Sequence, residues 1–285
     1  MKPAAFEYYA PTTLTALLEL LAAPGEDNKI LAGGQSLVPV MNFRLARPAK
    51  LFDINGITEL DFLRREGQQL RIGALTRHAA FHRPVVEGPA GTLLAEVARH
   101  IAHYPIRQRG TFAGSVAHAD PASEWCLILV TLEGEVCVRS AAAERVIRAA
   151  DYFQGVFATA LRPREVITEV RLPVLDASWR TGFYEFSRRV GDFALAMTAV
   201  ALRFEGAKIK EARVGIGGVE DRPFRCSEAE IILTRSGSFA EAAEAASKAV
   251  KPMEDLNADA PYRRDLVRAT TRRALERAAA HRAAD

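Results

Sequence analysis

The sequence has 285 residues, of which 49% are hydrophobic and 26% are charged, and its formal net charge is +3. This composition is typical of a globular protein with one large or two modest domains, and the charge is too small to indicate nucleic-acid binding. No segment approaches the roughly 18 consecutive apolar residues of a membrane span, and the first residues lack the apolar segment of a signal peptide, so we expect a cytoplasmic protein.

Helical and strand patterns alternate through the first 175 residues. Short apolar runs predict strands at 6–9, 29–31, 51–54, 70–73, 135–139 and 165–171. Periodic apolar residues predict helices at 14–21, 92–102 and 121–132. Thr12 or Thr13 is suited to cap the first helix, and Pro121 is suited to the first turn of the third.

The pattern changes near residue 175, and we place the main domain boundary between residues 175 and 176. Beyond it, strands are predicted at 182–187, 197–204 and 212–217 as an antiparallel meander, followed by helices. Two capping boxes, Ser227-x-x-Glu230 and Ser238-x-x-Glu241, each head a helix.

Pro261 starts the last predicted helix, which has Tyr262, Leu266 and Thr270 on one face. Its arginines are expected to form a solvated surface: Arg263, Arg264, Arg268, Arg272, Arg273 and Arg277. The three cysteines match no C-x-x-C spacing, and we expect small buried side chains at Cys126, Cys137 and Cys226.

Two loops of small residues, about eighty residues apart, carry the main functional signal. The first loop is Ala32-Gly33-Gly34-Gln35-Ser36, and the second loop is Thr111-Phe112-Ala113-Gly114-Ser115. Small side chains expose successive backbone N–H groups and permit the close approach that a pyrophosphate needs. We therefore expect the loops to hold a diphosphate from both sides, with Lys29 adding a positive charge. Taken alone, the Gly-Gly pair is more typical of a tight turn after a strand than of a phosphate site.

Acidic residues follow the second loop. Asp120 and Glu124 can accept hydrogen bonds from sugar or ribityl hydroxyls, or can serve as acids at a helix N-terminus. His118 is expected to be structural. Neither loop fits the G-x-G-x-x-G or G-x-x-x-x-G-K-[ST] pattern, and no G-x-S-x-G or H-E-x-x-H motif occurs. We therefore assign no catalytic residue and no metal ligand to this chain.

Together these motifs resemble those of the FAD-binding medium subunit of molybdenum hydroxylases, a group that includes carbon monoxide dehydrogenase, bacterial quinoline, nicotine and caffeine dehydrogenases, and the flavin domain of xanthine dehydrogenase. The resemblance runs in the same order over nearly the whole chain. The stretches that carry it are 32–39, 109–115, 118–121, 188–194 and 215–218. It implies an α+β fold with a two-part FAD-binding domain of the PCMH type at 1–175, then a smaller α+β domain at 176–285 with an antiparallel sheet and C-terminal helices.

The resemblance also implies which residues contact a noncovalently bound FAD. Asp120 and Glu124 would make polar contacts, Leu161 would pack beside the cofactor, and Asp192 and Phe193 would lie near the isoalloxazine ring. The remaining implied contacts are Lys29, Leu31, Ala32, Gly33, Gly34, Gln35, Ser36, Leu37, Thr111, Phe112, Ala113, Gly114 and Ser115.

Two positions depart from the family pattern. Ala113 stands where the family usually has a glycine, and Phe193 stands where relatives often have tyrosine. The alanine is compatible with the loop where its φ is negative, and the phenylalanine keeps a ring but loses a hydroxyl donor. Both changes are compatible with a lower affinity for the flavin than in the family members.

The implied role is electron transfer within a complex. A large partner subunit with the molybdenum cofactor would oxidise the substrate, an aromatic N-heterocycle or another small molecule, and a small partner subunit with [2Fe–2S] clusters would pass electrons through FAD to an external acceptor. The segment 118–124 slightly favours the N-heterocycle enzymes. Three alternatives stay open: a self-sufficient flavin oxidase of the vanillyl-alcohol oxidase type, a scaffold subunit without flavin, and a phosphate or nucleotide sensor.

Overall fold

A computed structural model describes residues 1–23 and 27–280. The strands are β1 (Glu7–Tyr9), β2 (Asn28–Leu31), β3 (Lys50–Asp53), β4 (Leu63–Glu66), β5 (Gln69–Gly73), β6 (Glu135–Arg139), β7 (Glu144–Arg148), β8 (Phe153–Gly155), β9 (Ala158–Thr159), β10 (Val166–Pro173), β11 (Trp179–Phe186), β12 (Ala196–Glu205), β13 (Lys208–Gly217) and β14 (Phe224–Arg225). The α-helices are α1 (Leu14–Ala22), α2 (Leu37–Asn42), α3 (Pro89–Ala98), α4 (Tyr104–Arg109), α5 (Phe112–His118), α6 (Glu124–Thr131), α7 (Ala149–Tyr152), α8 (Ser227–Ser236), α9 (Phe239–Ala249) and α10 (Ala260–Ala280). Short 3₁₀ turns occupy Thr58–Leu60 and His78–His82.

The first part of the chain contains two main sheets. A parallel sheet has the order β1-β3-β2, and an antiparallel sheet has the order β4-β5-β10-β6-β7. The leucines of α1 are buried as the sequence predicts, and Thr13 Oγ1 accepts a hydrogen bond from the N–H of Ala16 at 3.2 Å. The predicted strand at 135–139 coincides with β6, whereas α2, α4 and α5 were not predicted because each is too short for a clear apolar period.

The second part is an antiparallel sheet, β11-β12-β13-β14, with helices on both faces. Alternate residues of β12 face opposite sides: Met197 and Ala199 join the core of the first part, while Val200 and Leu202 join the core under α8, α9 and α10. Burial on both faces explains the nearly continuous apolar sequence of this strand. The mixed α+β class and the antiparallel second part confirm the predicted fold class.

Several helix bounds differ from the prediction. The helix expected at 92–102 is α3, which begins at Pro89 and ends at Ala98. The helix expected at 121–132 begins only at Glu124, because the Asp120 side chain accepts a hydrogen bond from the N–H of Ala122 and the Pro121 carbonyl accepts one from Gly218.

Ser238 heads and caps α9 as predicted, since its hydroxyl accepts a bond from the N–H of Glu241, but its own N–H donates to Ser236 Oγ and not to the Glu241 carboxylate. A helix begins at Ser227 as predicted, but the capping box there was wrong, since Cys226 occupies the N-cap position and no side chain caps the helix. The Glu230 carboxylate binds the Val214 N–H and Arg225 instead.

The last helix also corrects the prediction. Arg263 was expected at a solvated surface but is buried, where its guanidinium donates to the carbonyls of Leu195 and Gly218. On the face predicted for Tyr262, Leu266 and Thr270, the last two are buried, and Tyr262, which is 43% exposed, contacts the Phe186 ring edge-on. The three cysteines are buried as predicted. Among the described helices, none has the length and apolarity to cross a bilayer.

Candidate dinucleotide-binding site

The first loop connects β2 to α2. Gly34 has φ +72°, a conformation that favours glycine, and the Gln35 amide donates to the Gly33 carbonyl at 2.9 Å. Among the hydrogen bonds of the described residues, none uses the backbone N–H groups of residues 33–36. Four successive donors are therefore free to bind a ligand that carries several oxygen acceptors.

The segment predicted as the second loop follows α4, but it is not a loop in the structure: Thr111 is the N-cap of α5, and residues 112–115 form the start of that helix. We keep the name second loop for residues 111–115, of which the N–H groups of Phe112, Gly114 and Ser115 bond within the fold. The N–H of Phe112 donates to the Thr76 carbonyl at 3.0 Å, and the N–H of Gly114 donates to Thr111 Oγ1 at 2.9 Å. The Phe112 ring is buried and stacks on Trp125 with centroids 4.7 Å apart. Ala113 lies in the first turn of α5, outside the residues with positive φ, so its methyl group fits the local backbone.

The fold brings the two loops into contact. A Cβ atom added to Gly33 would lie 2.5 Å from the carbonyl oxygen of Arg109 and 2.6 Å from the Cα of Gly110. No residue with a side chain fits this position without moving one backbone away from the other. The glycine at position 33 is therefore required by the contact between the loops.

A buried histidine, His78, holds the segment that enters the second loop by a hydrogen bond. The N–H of His78 donates to the Gly110 carbonyl at 3.0 Å, and Trp125 Nε1 donates to His78 Nδ1 at 2.9 Å. Burial, helped by the charges of Arg107 and Arg77, lowers the pKa of His78 to about 3. The imidazole is thus neutral at physiological pH and accepts the indole hydrogen bond. The sequence analysis missed this residue because a single histidine in a 3₁₀ turn has no pattern.

Acidic side chains lie at the start of α6. Burial, with the nearby Asp120 carboxylate, raises the pKa of Glu124 to about 7. Glu185, on β11, has a buried Oε2 atom without a hydrogen-bond partner; burial and the charge of Glu124 raise its pKa to about 9. Glu124 and Glu185 therefore bind protons at a pH where surface carboxylates are ionised.

The other predicted contacts lie around these loops. Lys29 is exposed and its charge acts on His118, whose ring lies tilted against that of Phe157 with centroids 4.8 Å apart. Burial is the main cause that lowers the pKa of His118. Leu161 is partly buried against the core of the first part.

Asp192 and Phe193 belong to the connection between β11 and β12. Phe193 is 72% exposed, and no hydrogen bond of the described residues joins either residue to the two loops. This connection packs against the start of α4, where Gly191, at φ +89°, lies close to the His103 ring. The second loop follows the other end of the same helix, which is about 9 Å long.

Comparison with known proteins places both parts of the chain. Residues 4–175 match the family model described as the FAD binding domain in molybdopterin dehydrogenase, and residues 181–278 match the CO dehydrogenase flavoprotein C-terminal domain. The chain is 39% identical to the nicotine 6-hydroxylase medium subunit of Paenarthrobacter nicotinovorans, across 98% of this chain and 99% of that subunit.

Two solved structures are similar along their whole length. Carbon monoxide dehydrogenase from Hydrogenophaga pseudoflava, in a form that lacks the Mo-pyranopterin moiety, has a chain with a TM-score of 0.94 and 35% identity, covering 98% of this chain and 99% of its own. Quinoline 2-oxidoreductase from Pseudomonas putida 86 has a chain with a TM-score of 0.91 and 33% identity, covering 99% of both.

Proposed function

The chain belongs to the family of FAD-binding medium subunits of molybdenum hydroxylases, and we propose that its two glycine loops, with Lys29, bind the dinucleotide. Its function is that of the flavin subunit of a multi-subunit oxidoreductase. The division into a FAD-binding domain at 1–175 and a second domain at 176–285 is part of the proposal.

The observation that carries the site assignment is the set of four free N–H groups at 33–36, next to a second backbone segment that Gly33 allows to approach. Phosphate oxygens are strong acceptors and match consecutive main-chain donors, and positive charges nearby strengthen such bonds. Lys29, Arg77 and Arg109 supply that charge. The residues present therefore fit the pyrophosphate of FAD.

The remaining contacts are assigned by their position around the loops. Leu31, Ala32 and Leu37 lie on either side of the four free donors. The seam is the contact of Gly33 with the backbone of Arg109 and Gly110. Thr111, Ala113 and Ser115 follow it in the second loop. Asp120 and Glu124 are proposed to accept hydrogen bonds from hydroxyls of the cofactor, while Leu161, Asp192 and Phe193 are proposed to lie toward the flavin ring.

FAD supplies the redox chemistry when bound, taking electrons from [2Fe–2S] clusters and passing them to an external acceptor. We propose that these clusters lie on a small partner subunit, that the molybdenum cofactor lies on a large one, and that the complex works in the cytoplasm. The chain's own residues bind and orient the flavin. An aromatic N-heterocycle is the proposed substrate, supported by the likeness to the nicotine and quinoline enzymes.

Titration of the purified full chain with FAD tests the cofactor assignment. We expect quenching of flavin fluorescence with one FAD per chain and release of intact FAD on denaturation. Failure of both the chain and the complex purified from its host to hold flavin would contradict the assignment. Oxygen consumption with a substrate by the isolated chain would instead support a self-sufficient oxidase.

Purification of the complex from its native host tests the partners and the substrate. We expect two further subunits, with molybdenum and iron, and reduction of an artificial acceptor with pyridine or quinoline derivatives. Activity with carbon monoxide alone would overturn the substrate proposal while leaving the flavin assignment intact.

A further inference from the structure

A chain of side-chain hydrogen bonds connects the first loop to the segment that enters the second loop. The Asn55 amide nitrogen donates to the Ala32 carbonyl at 2.9 Å, and its oxygen accepts from a terminal nitrogen of Arg77 at 2.6 Å. The other terminal nitrogen of Arg77 donates to the Arg109 carbonyl. Two side chains thus join two backbones that are 77 positions apart in sequence, on either side of the seam at Gly33.

The orientation of Asn55 is fixed from both sides. Asp53 Oδ1 accepts from the Asn55 backbone N–H at 2.9 Å and from its side-chain nitrogen at 2.6 Å, and the Tyr8 hydroxyl donates to Asp53 Oδ2 at 2.7 Å. Although burial opposes it, these bonds keep the pKa of Asp53 below its usual value. The carboxylate on one side and the guanidinium of Arg77 on the other determine which end of the amide is the donor.

Arg77 makes these bonds at an electrostatic cost. It is partly buried, and burial together with the charge of Arg109 lowers its pKa, against the opposing effect of Asp61 and Asp53. The guanidinium groups of Arg77 and Arg109 repel each other, and an anion bound beside them would offset this repulsion. Simple packing of the loops would not need a charged residue here.

We propose that Asn55 and Arg77 are positioning residues, a clamp that sets the spacing of the two glycine loops and thereby the affinity for FAD. The inference rests on the proposed assignment of these loops to the pyrophosphate. Neither residue has a motif in the sequence; only the tertiary contacts bring them together.

The test compares Asn55→Leu, Arg77→Met and the double variant in the full chain. Each single variant should weaken FAD binding about tenfold or more, since one bond to a charged or fixed partner is lost. The bonds act in series, so the loss of either side chain disconnects the two loops. The double variant should therefore have the same FAD affinity as the single variant with the lower affinity. Independent, additive losses would overturn the proposal.

Arg213→Met is the matched control. Arg213 is also a partly buried arginine that donates to a backbone carbonyl, that of Leu132, and pairs with Glu211, but it lies in the second part. The Arg213→Met variant should be less stable than the wild type but should bind FAD with unchanged affinity. Riboflavin, which lacks the phosphates, should bind the clamp variants and the wild type equally.

Amide hydrogen exchange separates this inference from the proposed function. The N–H of Val38 donates to the Gly34 carbonyl within the first loop, and the N–H of Phe112 in the second loop donates to the Thr76 carbonyl. Both N–H groups should exchange faster in the clamp variants while α10 keeps its protection. If the wild type bound no FAD, the proposed function would fail, and loss of protection at both loops would still support the clamp. Unchanged exchange at Val38 and Phe112 would overturn it.

Discussion

In the first loop, the backbone N–H groups of residues 33–36 donate to nothing among the described residues, whereas in the second loop those of Phe112, Gly114 and Ser115 all have acceptors within the fold. Both loops are rich in small residues, and in sequence they look alike. The structure separates their roles. The first loop offers backbone donors without partners among the described residues, whereas three donors of the second loop are bonded within the fold and its Phe112 side chain is part of the core. Small residues therefore indicate that something approaches the backbone closely. They do not tell whether it is a ligand or another segment of the protein.

The largest expected effect is that of Gly33→Ala, which attacks the contact between the loops. The added methyl would meet the Arg109 carbonyl at 2.5 Å, and relief of such a clash costs about 1–3 kcal/mol. We expect FAD affinity to fall by about 100-fold. Fluorescence titration measures it, with Gly56→Ala as the control because the nearest atom there is 3.4 Å away. Wild-type affinity in Gly33→Ala would show that the loops do not need this contact.

A smaller effect tests the support under the second loop. The pKa of His78 is lowered to about 3 in the folded chain, so the stability that its neutral form contributes is present above its unfolded pKa of 6.5 and lost as pH falls toward 3. His78→Gln keeps an acceptor for Trp125 but cannot take a proton. Between about pH 7 and pH 5, the wild type should lose about 1–2 kcal/mol more of its unfolding free energy than the variant. Urea denaturation at both pH values measures this, and parallel losses would contradict it.

Removal of the N-cap of α5, at Thr111, should lower both the stability of the chain and its affinity for FAD. Thr111→Val deletes the acceptor for the Gly114 N–H and should lower the unfolding free energy by about 1 kcal/mol. Thr13→Val removes the equivalent cap of α1, remote from the seam. We expect similar stability losses in urea, with a measurable change in FAD affinity only for Thr111→Val. Equal FAD affinity in both variants would show that the second loop does not contact the cofactor.

The smallest effect is expected at the position that departs from the family pattern. Ala113→Gly restores the usual glycine within a helical turn, where glycine is less stable than alanine by about 0.5–1 kcal/mol. We expect that loss without a gain in FAD affinity, as for Ala117→Gly at an exposed site of the same helix. Tighter FAD binding by Ala113→Gly would mean that the methyl group obstructs the cofactor.

Local patterns account for what the sequence alone could predict. The four leucines of α1 and the short apolar run of β6 depend only on residues a few positions apart, so their elements were found. The two loops and the order of the two domains were recognised in the same way, because motifs are contiguous.

Only the tertiary structure decided how distant segments pair. Arg263 looked like a surface arginine because its acceptors, the carbonyls of Leu195 and Gly218, are far away in sequence. His78 and the Asn55–Arg77 clamp were missed for the same reason. The sequence determined that the chain has two short stretches of small residues, since composition is a local property, whereas only the structure shows that the second stretch starts a helix. The folded core decides which backbones come within hydrogen-bonding distance. It therefore also decides that the two loops touch, and that the first keeps four successive donors without partners among the described residues.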